Sequence, residues 1–84
     1  MAFHIEVDSQ AVDQIRALPQ HALPLLAEAI AVVELAPWNG RPYVDAKPDG
    51  ALRQLLFGDG VGIITYLVLD EQRRVDVLDV LWLP

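Results

Sequence analysis

Three apolar runs crowd the second half of the chain, residues 52–57, 62–69 and 75–82, and only two short turns separate them. The first turn is Gly58-Asp59-Gly60 and the second runs from Asp70 to Arg74, so the spacing predicts a three-stranded antiparallel meander. A meander of this kind needs a layer to cover it. Each run is apolar on both faces under simple alternation: Ile63, Leu67 and Leu69 oppose Ile64, Tyr66 and Val68 in the middle run. In the last run Val75, Val77 and Leu81 oppose Leu78, Val80 and Trp82. By the same alternation Asp76 and Asp79 fall on opposite faces, which removes them as an acid/base pair.

The first half supplies the cover. Phe3, Ile5 and Val7 alternate with His4 and Glu6, the pattern of a short edge strand. Asp8 and Ser9 are N-cap residues for a helix with Ala11, Val12, Ile15 and Leu18 on one side, ending before Pro19. A second helix follows with Pro24 in its first turn and runs to Leu35, with Glu28 and Glu34 its only polar side chains beyond Pro24. A helix so apolar packs inside the fold or leaves a stripe for another protein. Residues 36–50 contain three prolines and two glycines and predict a long ordered loop without helix or strand. Within it Trp38 either closes the core at the end of the second helix or, with Arg41 and Tyr43, stacks on a base.

The expected architecture is therefore α+β, one domain over residues 1–84, with two helices on one face of a mainly antiparallel four-stranded sheet in the order β-α-α-β-β-β. Two helices cover one face only, so the other requires the loop, a second copy or a partner chain.

Charge narrows the function. Twelve acidic residues against six basic give a net charge of −6, which excludes a broad phosphate-binding surface and favours a basic partner. The chain has no cysteine, opens without a basic-then-apolar leader and has no apolar run of about 18 residues, so a cytoplasmic protein without a membrane span is expected. No phosphate-cradling glycine loop, nucleophile elbow or spaced metal-ligand set occurs, and no cofactor or metal is expected; His4 and His21 lie on different elements. Arg53 stands out because a guanidinium within an apolar strand needs a carboxylate, a carbonyl or a bound anion. Were Arg53, Tyr66 and Arg74 to converge, they would hold a phosphodiester, with Tyr66 as donor or general acid/base. The competing reading makes Tyr66 a core aromatic and pairs Arg53 with an acidic neighbour such as Asp76.

The order of elements, the run Leu52-Arg53-Gln54-Leu55-Leu56-Phe57-Gly58-Asp59-Gly60, the strand Ile63-Ile64-Thr65-Tyr66-Leu67-Val68 and the closing strand 74–80 together resemble the RelE/ParE superfamily of toxins from bacterial type II toxin-antitoxin modules. Trp38-Asn39-Gly40 ahead of a proline-containing loop is similar to one of its subgroups. The resemblance implies a toxin neutralised by a cognate antitoxin that wraps it and covers the apolar sheet face, in a hetero-oligomer. For RelE-like members it further implies metal-independent, ribosome-dependent cleavage of messenger RNA by arginines, lysines and a tyrosine or histidine. Carried over, Arg53 matches the strand arginine and Tyr66 the aromatic of the next strand; Arg74, with His4, would assist. The chain departs from that pattern at Ile63, where an arginine is frequent, in its acidic charge, and in lacking a basic tail after Trp82. Three functions stay open: a cleaving toxin, a non-catalytic binding protein of the same fold, and a homodimeric interaction domain.

Overall fold

The computed structural model describes residues 2–83. Strand β1 (His4–Val7) leads into helix α1 (Ser9–Arg16), and a short 3-10 turn (Gln20–Ala22) leads into α2 (Leu23–Leu35). A second 3-10 turn (Pro37–Asn39) and β2 (Arg41–Pro42) precede the meander of β3 (Leu52–Phe57), β4 (Gly62–Leu69) and β5 (Arg74–Trp82). Among the described residues no single helix is long and apolar enough to cross a membrane.

Local chemistry sets these boundaries. Asp8 caps α1 from an extended backbone, its carboxylate accepting the Gln10 amide at 3.3 Å, and Arg16 sits in the last turn where the helix dipole favours a cation. Pro24 occupies the first turn of α2, where its missing N–H costs nothing. Between β3 and β4 the turn takes Gly58 and Asp59 through φ of 60° and 58°, the left-handed pair that matches the strand twist.

The sheet has five strands in the order β1-β5-β4-β3-β2, and β1 runs parallel to β5, so it is mixed where four mainly antiparallel strands were expected. The extra strand is the two-residue β2 within the loop. The Tyr43 amide donates to the Leu52 carbonyl at 2.9 Å, so Leu52 and Gln54 turn their main-chain groups outward to this strand while Arg53 turns inward to β4. Pro42 lies opposite Arg53, at the position where the ladder needs no N–H.

The core lies between the sheet and both helices. Ile64, Tyr66 and Val68 of β4 stand beside Val80, Val77 and Val75 of β5, all at most 3% exposed, and meet Ala11 of α1 and Leu26, Ala29 and Val33 of α2. Each such aliphatic side chain contributes about 1.5–3 kcal/mol on burial. Helix α2 is not fully enclosed: Val32 and Leu35 are exposed, Leu35 at 72%.

One irregularity overturns the simple alternation. Thr65 pairs with Asp79 but Tyr66 pairs with Val77, so Leu78 is an extra residue in β5. This bulge keeps Val80 and Trp82 on the helix side with Val75 and Val77, and it places Asp76 and Asp79 on the same side, not on opposite ones. At the same level β1 has ended and β5 loses its neighbour. Gln14 of α1 takes the place of the missing strand: its Oε1 accepts the Val80 amide at 2.7 Å and its Nε2 donates to Asp79 at 2.7 Å.

Candidate functional site

Arg53 and Tyr66 are direct cross-strand partners on the helix side of the sheet. Arg53 is 7% exposed and Tyr66 is fully buried. The guanidinium donates to three carbonyls of the preceding loop, Gly40 at 2.8 Å, Pro48 at 3.1 Å and Gly50 at 3.0 Å. The Tyr66 hydroxyl donates to the Pro37 carbonyl at 2.6 Å. Gly40 must be glycine because a Cβ there would overlap the Tyr66 hydroxyl and approach the Gln54 carbonyl to 2.7 Å. Burial pushes the Tyr66 phenol above its usual value, an effect partly offset by a Gly40 backbone hydrogen bond and the positive Arg53. The phenol is thus held protonated, with its proton directed at the Pro37 carbonyl.

Trp38 does not close the core. It is 42% exposed, donates its indole N–H to Asp70 at 3.1 Å, and lies 5.2 Å from the Arg53 guanidinium, which sits over its ring. Pro37 fills the buried place at the end of α2 instead. The 36–50 loop is thus strapped to β3 and β4 by Arg53 and Tyr66. Sequence reasoning named a carbonyl as one possible partner of Arg53; the glycine and proline carbonyls of the loop were the signal.

Arg74 lies elsewhere. It pairs in register with Leu69, opposite Leu69 on the sheet side away from the helices, and it donates to Asp76 at 2.8 and 3.1 Å. The Asp76 hydrogen bonds and charge raise the Arg74 pKa, so the guanidinium stays charged. The expected pairing of Arg53 with Asp76 is therefore replaced by Arg74 with Asp76. Neither is Arg74 brought to Arg53 and Tyr66: the sheet separates them. On β1, His4 lies in register with Arg74 and Glu6 with Asp76, and the His4 imidazole contacts the Glu6 carboxylate. Among the described residues no group of three or more His, Cys, Asp or Glu is placed to hold a metal.

The face away from the helices is graded from apolar to charged. Leu56, Ile63 and Leu81 form one row across β3, β4 and β5, with Leu56 and Leu81 each 45% exposed. Gln54, Thr65 and Asp79 form the next, then Leu52, Leu67, Asp76 and Glu6, then Leu69, Arg74 and His4. The loop reaches its edge at Val44 and Lys47, which with Leu52 and Leu67 line a cavity of about 350 Å³. Among the described residues no helix or strand covers the rest.

No family model matches the sequence, and no curated protein matches it. Among solved structures, the chain is similar to the isolated RelE toxin of E. coli, with a TM-score of 0.80 and 18% identity over 99% of this chain and 86% of that one. The intact E. coli RelBE toxin-antitoxin complex gives a TM-score of 0.74 and 20% identity over 94% of each chain. The archaeal RelE-RelB complex of Pyrococcus horikoshii OT3 gives 0.66 and 14% over 98% and 96%. The fold, two helices and a five-stranded mixed sheet, is that of RelE.

Proposed function

We propose that this chain is the toxin-fold member of a toxin-antitoxin pair, acting by contact with a target and neutralised by an antitoxin that covers the open sheet face. The observation that carries this reading is the apolar row of Leu56, Ile63 and Leu81 running across three strands, exposed at Leu56 and Leu81 and half-buried at Ile63. Apolar surface of this kind on a small protein marks an interface. The likeness to RelE-RelB complexes supports an antitoxin as the chain that covers it.

Ribosome-dependent messenger RNA cleavage is the second reading. Arg53 and Tyr66 are held by the loop, so the chemistry would fall to Arg74 and its register neighbour His4, the two groups of that set on the accessible face. A net charge of −6 works against docking on ribosomal RNA.

Controlled expression in bacteria with growth as the readout separates the two. The binding reading expects arrest that Leu81→Lys abolishes and Arg74→Ala leaves intact, with no new RNA 5′ ends. Arrest with new 5′ ends that Arg74→Ala removes would establish cleavage. Unimpaired growth with abundant, folded protein would remove the toxin reading for that host.

A further inference from the structure

Among the described residues no strand pairs with the outer edge of β1, and its surroundings specify what fits there. The sheet ends at β1. The His4 amide donates to the Arg73 carbonyl at 2.8 Å and the Asp8 amide to the Val77 carbonyl at 2.9 Å, so the even-numbered residues of this segment face β5. The main-chain groups of Ile5 and Val7 therefore point outward. β1 carries no lysine or proline; what limits pairing at this edge is its four-residue length and the charge of Glu6, which selects a basic partner over a neutral or acidic one. At the opposite edge of the sheet β2 pairs with the first half of β3, at Arg53 and Gln54.

Beside this edge lies a groove of about 340 Å³ lined by Glu6, Val7, Asp8, Arg74, Asp76 and Leu78. Three carboxylates line it against one guanidinium, and that guanidinium is already held by Asp76. Val7 contributes apolar surface at 39% exposure.

We propose that β1 accepts an extended segment of a basic partner polypeptide as a sixth strand. Its main chain pairs with Ile5 and Val7. Its side chains alternate, because those on the open sheet face meet His4 and Glu6 while the intervening ones meet Ile5 and Val7 on the helix side. The pattern that satisfies both is basic-apolar-basic-apolar, with Lys or Arg facing Glu6 and its neighbouring carboxylates. A second copy of this chain is disfavoured, since it would bring the same carboxylates, and another net charge of −6, against them. The inference rests on the edge and its charge and does not depend on the toxin reading.

The test is a titration of the isotopically labelled full chain with a nine-residue capped peptide of alternating lysine and valine, and with its glutamate-valine counterpart. Shifts and hydrogen-exchange protection at the Ile5 and Val7 amides are the readout. The lysine peptide is expected to protect both amides, with affinity falling as salt is raised. Val7→Pro removes an outward donor without touching the β5 ladder, and Glu6→Lys reverses the local charge; each is expected to weaken binding about tenfold or more. The proposal is overturned by a lysine peptide that leaves β1 unperturbed at millimolar concentration, by equal binding of the glutamate peptide, or by affinity unchanged in Glu6→Lys. A dimer of the free chain that protects the same two amides would overturn it as well.

Discussion

Arg53 and Tyr66 face each other across β3 and β4, and both spend their polar groups on one loop: Tyr66 on Pro37, Arg53 on Gly40, Pro48 and Gly50. These two residues thus hold a fifteen-residue segment, 36–50, against the sheet. An arginine suits this task because its planar fork reaches several carbonyls at once, and the surrounding burial strengthens each bond.

Removing that fork should loosen the loop before it affects any reaction. Hydrogen bonds to a charged group contribute about 1.5–3 kcal/mol each and do not add fully, so Arg53→Ala should lower stability by about 3 kcal/mol in urea unfolding. Amides of the 36–50 loop should lose hydrogen-exchange protection in the same variant. Unchanged stability, with the loop still protected, would return Arg53 to the list of groups free for catalysis.

Tyr66 gives a pH-dependent counterpart. Its folded-state pKa is raised above 10.0, so the fold favours the protonated phenol. That contribution is fully present below pH 10 and is lost as pH rises through the higher folded-state value. Melting temperature should therefore decline on the alkaline side beyond about pH 10, and Tyr66→Phe should flatten that decline. At neutral pH the phenylalanine variant should be less stable by about 1–3 kcal/mol, because the Pro37 carbonyl loses its buried donor.

Gln14 should prove more important than a helix-surface glutamine ordinarily is. It satisfies the Val80 amide where β1 no longer reaches β5. Gln14→Leu keeps the bulk of the side chain and strands that amide, at a cost of about 1–3 kcal/mol. Exchange at the Val80 amide should accelerate by about tenfold or more, while amides in β3 change little. Equal exchange in both proteins would show that water replaces the glutamine.

Most of the fold was legible because the sequence punctuates it: Asp8, Pro19, Pro24 and the Gly58-Asp59-Gly60 turn mark the element ends, and the long apolar runs leave no choice but strands. What was not legible depends on tertiary pairing. The two residues of β2 form a strand only because Leu52 and Gln54 present an open ladder to them. The bulge at Leu78 left a trace, since Val75, Val77, Val80 and Trp82 are apolar while Asp76 and Asp79 stand three apart, a spacing that strict alternation cannot keep on one face. The candidate site was half readable: the need of Arg53 for a partner followed from its apolar strand, but which carbonyls would supply it required the loop to be folded. The register that brings His4 to Arg74 and Glu6 to Asp76 is parallel and non-local, and no local pattern announces it.

The open face yields the prediction that bears most directly on function. Leu81 is 45% exposed at the end of the Leu56-Ile63-Leu81 row, so Leu81→Lys removes little packing. Its effect on stability should stay within about 0.5 kcal/mol, as for surface substitutions generally. Binding to whatever covers the sheet should suffer far more, because a charge within an apolar contact must be desolvated without a partner, at about 2 kcal/mol or more. Unfolding and growth arrest measured on the same protein separate these effects. Loss of arrest at unchanged stability assigns the row to the target interface. Loss of both would make Leu81 part of the scaffold, and retention of both would place the interface elsewhere, with the α2 stripe of Val32 and Leu35 the next surface to test.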